Sequence, residues 1–115
     1  MIKEDKKFLY KMDGGVLEVK LMGEIDHHSA VSVRSDIDGL IFDLRPQKVV
    51  LDLSEISFMD SSGLGLIMGR YALIKDFGGT LSLRAPTVAV MKILTLAGME
   101  RMIKIDKSIK EEVKK

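Results

Sequence analysis

Between Val49 and Phe77 the chain changes its hydrophobic period, and that change restricts the possible folds more than any other feature. Val49-Val50-Leu51-Asp52-Leu53 is almost continuously apolar. Such a run suits a strand covered on both faces, as in a parallel sheet with helices packed against it. From Leu64 to Phe77 the apolar residues recur at helical spacing instead. Leu64, Ile67, Met68, Tyr71 and Ile74 form one stripe, and Leu66, Leu73 and Phe77 widen it. Gly78-Gly79 is a strong helix stop. The run Asp60-Ser61-Ser62-Gly63-Leu64-Gly65 lies between the two patterns. It therefore places two hydroxyls, flanked by an acid and a glycine, where a strand hands over to a helix.

The rest of the chain extends this pattern on both sides. Phe8 to Met12 reads as a short strand, Asp13-Gly14-Gly15 as a tight turn, and Val16 to Ile25 as an alternating strand. In the second strand Leu17, Val19 and Leu21 face one way and Glu18, Lys20 and Met22 the other, so the pair forms an antiparallel hairpin. Asp26-His27-His28-Ser29 reads as a loop with helix-start character. From Ala30 a helix carries Val33, Ile37, Leu40, Ile41 and Leu44 and ends at Pro46. Thr80 to Ala85 alternates as a strand, and Pro86-Thr87 opens a helix carrying Val90, Ile93, Leu94 and Ala97. Met102 to Ile105 is a short last strand, and Lys107 to Lys115 has the composition of a polar terminal helix. The expected architecture is a single α/β domain over 1–115, a mixed sheet with an N-terminal antiparallel hairpin and crossover helices. In such sheets function gathers in loops at the carboxyl ends of strands. The Asp26 and Ser61 segments both follow strand ends.

Composition narrows the functional classes. The chain has 115 residues, which fits one compact domain, and contains no cysteine. Disulfide frameworks, thiolate zinc sites and cysteine nucleophiles are thereby excluded. A net charge of +1 supplies no global field for nucleic acid or anionic membrane. No apolar run approaches the ~18 residues of a membrane span, and Met1 to Lys7 lacks a signal-peptide core. A cytoplasmic protein with no direct nucleic-acid partner is the expectation.

Ser61 is the candidate functional hydroxyl. A helix N-terminus presents unpaired N–H groups and the positive end of the dipole, so a serine there is either a cap or a place for a phosphate. Ser62 is the rival acceptor. Asp60 is a second cap, an orienting group for Ser61, or a base. Gly63 removes a side chain beside Ser61 and opens the backbone to a partner. Asp26 reads as a cap for the helix from Ala30. His27 and His28, adjacent in sequence and without a third histidine, make a poor metal site. Phe58, Met59 and Leu64 are expected to fix the loop by apolar packing. No Gly-x-Ser-x-Gly elbow, no P-loop and no catalytic triad accompanies Ser61.

The segment Val49 to Tyr71 resembles the signature of STAS domains, and within them the anti-anti-sigma factors (anti-sigma factor antagonists) of sporulating bacteria. Phe58-Met59-Asp60-Ser61-Ser62-Gly63 and Gly23-Glu24-Ile25-Asp26-His27-His28 carry the likeness, which covers essentially the whole chain. The resemblance implies a STAS fold and a non-enzymatic switch in transcription. The unphosphorylated protein binds an anti-sigma factor that is also a serine kinase and thereby frees a sigma factor, here sigma F of sporulation. The kinase phosphorylates the first serine after the motif aspartate, Ser61, and a serine phosphatase reverses this. Asp26 matches an aspartate near that serine. The implied partner-binding set is Asp26, Asp60, Ser61, Ser62 and Gly63; separately, the apolar residues left over on the Ser61 helix, Leu66 and Leu73, and the surface around Asp26 are expected to form the docking face. No cofactor or metal is implied. The alternatives are a general-stress antagonist and a STAS module binding a nucleotide or other small ligand.

Overall fold

The computed structural model describes residues 8–107. The terminal helix expected over 107–115 therefore lies outside the described residues, except for Lys107. In chain order the elements are β1 (Phe8–Asp13), β2 (Val16–Ile25), α1 (His27–Leu44), β3 (Lys48–Met59), α2 (Ser61–Asp76), β4 (Thr80–Arg84), α3 (Val88–Leu96), a short 3-10 turn (Met99–Arg101) and β5 (Lys104–Asp106). The five strands form one sheet in the order β1-β2-β3-β4-β5. β1 and β2 pair antiparallel, as expected from the Gly14-Gly15 turn. Both glycines have positive φ, 58° and 82°, which a two-residue hairpin turn of right-handed twist requires. The other three pairings are parallel.

The parallel strands follow one another in one direction across the sheet. Right-handed crossovers then set α1, α2 and α3 on the same side. Leu17, Val19 and Leu21 of β2, Val49, Leu51 and Leu53 of β3, and Leu81 and Leu83 of β4 form a single core with Val33, Ile37 and Ile41 of α1, Leu66, Ile67 and Ile74 of α2, and Val90 and Leu94 of α3.

The sheet thus departs from the expectation that β3 is sandwiched by helices. Its opposite face carries Lys11, Glu18, Lys20, Ser82 and Arg84, and none of these belongs to the core. Asp52 of β3 lies on this face and is nevertheless only 7% exposed. Its cover is a charge cluster: Arg84 bridges Asp52 at 3.2 Å and Glu18 at 3.3 Å. Burial pushes the Asp52 carboxyl up, but hydrogen bonds from Ser54 and the Arg84 guanidinium outweigh it and hold the group below its ordinary value.

Two boundaries also differ. β3 continues past Leu53 to Met59, burying Ile56 and Met59. Its second half alternates too irregularly to read as a strand because the pairing to β2 slips twice, between Lys20 and Met22 and between Gly23 and Glu24. α1 starts at His27, three residues before Ala30, so the two histidines occupy a helical turn.

Candidate functional site

β2 and β3 end in register, with Ile25 opposite Met59. Each is followed by an aspartate, and each aspartate caps a helix. The Asp60 N–H donates to the Ile25 carbonyl at 3.2 Å, which ties the two strand ends together. The result is two helix N-termini side by side.

At the first, Asp26 is extended (φ −116°, ψ −174°) and forms a reciprocal capping box. The Ser29 N–H donates to Asp26 Oδ1 at 2.9 Å, and the Asp26 N–H donates to Ser29 Oγ at 3.0 Å. The Ser29 N–H holds the Asp26 carboxyl below the usual carboxylate range; desolvation opposes this, while the Ser29 hydroxyl and His28 reinforce it. At the second, Asp60 is extended as well, and its Oδ1 accepts from the Ser62 N–H at 2.8 Å. The Gly63 N–H donates to the Asp60 carbonyl at 2.9 Å.

These caps distinguish the two serines. Asp60 does the capping, so the Ser61 hydroxyl is not needed for it. Ser61 is the first residue of α2, is exposed, and makes no side-chain hydrogen bond among the described residues. No side chain among the described residues hydrogen-bonds to it, so the hydroxyl is accessible and unengaged. Ser62 is half-buried and turns toward α1. Together with Gly65 it faces His27, Ala30, Val31 and Arg34 across a groove of about 230 Å³.

Three readings of neighbouring residues change. Gly63 is buried, and a Cβ there would overlap the Met59 side chain. Its lack of a side chain lets the end of β3 pack onto α2; it does not open backbone to a partner. Phe58 is 51% exposed and does not pack the loop, whereas Met59 is 4% exposed and does. Leu66 is 3% exposed and belongs to the core, reaching the surface only at the floor of the α1–α2 groove, and Leu73 is half-buried against the core, so neither offers a broad apolar surface. The exposed apolar groups flanking the two N-termini are instead Phe58, which pairs in register with Glu24, and Val31 of α1.

Reasoning from sequence missed the ion pair between α1 and α2. Arg70 is 5% exposed, and its Nε lies 2.7 Å from Asp38 Oδ1. The signal was available: Arg70 sits three residues after Ile67 and four before Ile74, on the buried stripe of α2. A cation there demands an acid on the facing helix.

Comparison with known proteins places this geometry in context. The family model described as STAS domain matches residues 7–112. The chain is 41% identical over 91 residues to the anti-sigma F factor antagonist of Paenibacillus polymyxa, covering 79% of this chain and 78% of that one. It is similar in structure to the unphosphorylated form of the anti-sigma factor antagonist SpoIIAA, with a TM-score of 0.76, 29% identity, and coverage of 91% of this chain and 90% of the other. The phosphorylated form of the Bacillus cell fate determinant SpoIIAA superposes with a TM-score of 0.70 at 28% identity, over 91% and 93% of the two chains.

Proposed function

The chain belongs to the STAS domain family, and from that premise we propose that it is an anti-sigma factor antagonist switched off by phosphate on Ser61. The observation that carries this reading is the division of labour at the α2 N-terminus. Asp60 satisfies the helix start, which leaves the Ser61 hydroxyl exposed and uncommitted. A phosphate there adds a charge of about −1.5 to −2. Neighbouring helix N–H groups and the dipole accommodate that charge, so the fold survives it. A docking partner is affected differently, because it meets a dianion where it had met a neutral hydroxyl beside the Asp26 and Asp60 carboxylates.

The partner in this reading is an anti-sigma factor with serine kinase activity, and a serine phosphatase resets the switch. The protein itself is a binding module and not a catalyst, acting as one domain. Sigma F is the regulated factor we favour, because the relative at 41% identity bears that name. Solved SpoIIAA structures exist in unphosphorylated and phosphorylated forms, which supports a reversible modification that leaves the fold intact. No helix among the described residues is long and apolar enough to cross a membrane.

Incubation with the purified anti-sigma factor and magnesium ATP, followed by peptide mapping by mass spectrometry, tests the site. One added phosphate on Ser61, absent from Ser61→Ala, is the expected result. Phosphate on Ser62 would move the switch into the groove, and no phosphate from an active kinase would end this reading.

A further inference from the structure

On α1, Arg34 is exposed, and its natural helical partner one turn on is Asp38, at i+4. That carboxylate is already taken by Arg70 of α2 at 2.7 Å. Arg34 forms no salt bridge and no hydrogen bond among the described residues. The Asp38 carboxylate thus serves Arg70, which leaves the Arg34 charge without an ion pair among the described residues. The two guanidinium groups feel each other: burial lowers the Arg70 pKa, Asp38 raises it, and Arg34 lowers it again. The charge sits on the wall of the α1–α2 groove, where small residues, Ala30 and Gly65, keep the space open. A Cβ on Gly65 would meet nothing within 4 Å. Val31, 47% exposed, lies beside the charge, and Ser62 links the groove directly to Ser61.

We propose that this groove is a specificity pocket for the anti-sigma factor, in which Arg34 receives an Asp or Glu side chain of the partner while Val31 packs against an apolar neighbour of that residue. The occupant is acidic because Arg34, the one permanently charged residue lining the groove among the described residues, is positive. It is a protein because the groove continues into the Ser61 surface, where the partner docks; the inference rests on that reading. An arginine without a partner among the described residues can form a bidentate pair without breaking any of the contacts described above.

The test measures binding of the purified anti-sigma factor to the unphosphorylated wild type, Arg34→Gln, Arg34→Glu, Arg34→Lys and Ser61→Asp, at two salt concentrations. Arg34→Gln is expected to weaken binding by roughly tenfold or more and to flatten its salt dependence. Arg34→Glu should weaken it further, and Arg34→Lys should fall between wild type and Arg34→Gln because it keeps charge without the planar fork. The thermal midpoint of Arg34→Gln should be unchanged or slightly raised, since that substitution relieves repulsion with Arg70. Equal binding by all Arg34 variants, with Ser61→Asp still defective, would overturn the groove assignment and leave the phosphate switch standing. Failure of the wild type to bind would overturn both. Self-association of the wild type that Arg34→Glu abolishes would replace the partner with a second copy of this chain and also overturn the assignment.

Discussion

Ser61 and Gly63 are two residues apart and do opposite things. Ser61 is exposed and free of structural duty, so its chemistry can change without cost to the fold. Gly63 faces inward, where Met59 occupies the space a Cβ would need. Gly63→Ala should therefore destabilise the protein by about 1–3 kcal/mol through overpacking. The strain comes from one flexible side chain, so Met59→Ala in the same molecule should recover part of the loss. Denaturant unfolding of the two single variants and the double variant checks this, and strict additivity would contradict the packing account. The motif made both residues conspicuous in the sequence. Their roles were only half legible, because Asp-Ser-Ser-Gly does not reveal which residue caps the helix. The decision depends on Asp60 reaching the Ser62 N–H, a fact of three-dimensional geometry.

At the scale of elements, the site is made by two parallel strands ending in register and two helices starting from adjacent caps. Most of these elements were visible in the periodicity of Val16–Ile25, Val49–Leu53 and the α2 stripe. The end of β3 was hidden by its two register slips, and the start of α1 by His27-His28, polar residues that carry no periodic signal. The capping box at Asp26 separates a structural role from an electrostatic one. Asp26→Ala removes the acceptor and should cost about 1 kcal/mol. Asp26→Asn keeps an acceptor and should cost much less. If Asp26 also meets the partner as a carboxylate, Asp26→Asn should weaken binding while leaving the thermal midpoint nearly unchanged. Loss of stability in Asp26→Asn equal to that in Asp26→Ala would contradict the capping assignment.

The whole molecule is one-sided: helices and core lie on one face of the sheet, and the Glu18–Arg84–Asp52 cluster lies on the other. The composition contains those charges, but nothing in it reveals that they meet across three strands. Their consequence is a pH dependence. The folded pKa of Asp52 is lowered relative to the unfolded chain, where an aspartate titrates near ~3.9. Its contribution to stability is therefore fully present above that value and is lost as pH falls through the lower folded pKa. Asp52→Asn should flatten the stability profile below about pH 4 relative to wild type, as read by urea midpoints across an acid series. An unchanged acid slope would place the titrating groups elsewhere. Because this cluster lies on the face away from the core helices, the same variant should leave partner binding intact.

The central claim is that one phosphate on Ser61 removes a partner without altering the fold. Calorimetric titration of the purified anti-sigma factor with unphosphorylated protein, and with protein carrying a single phosphate mapped to Ser61, tests it most directly, with circular dichroism recorded on both forms. The account predicts saturable binding by the first, loss of at least about a hundredfold in affinity for the second, equivalent to ~2.7 kcal/mol, and superimposable spectra. Equal affinity of the two forms, or loss of binding accompanied by loss of structure, would contradict it.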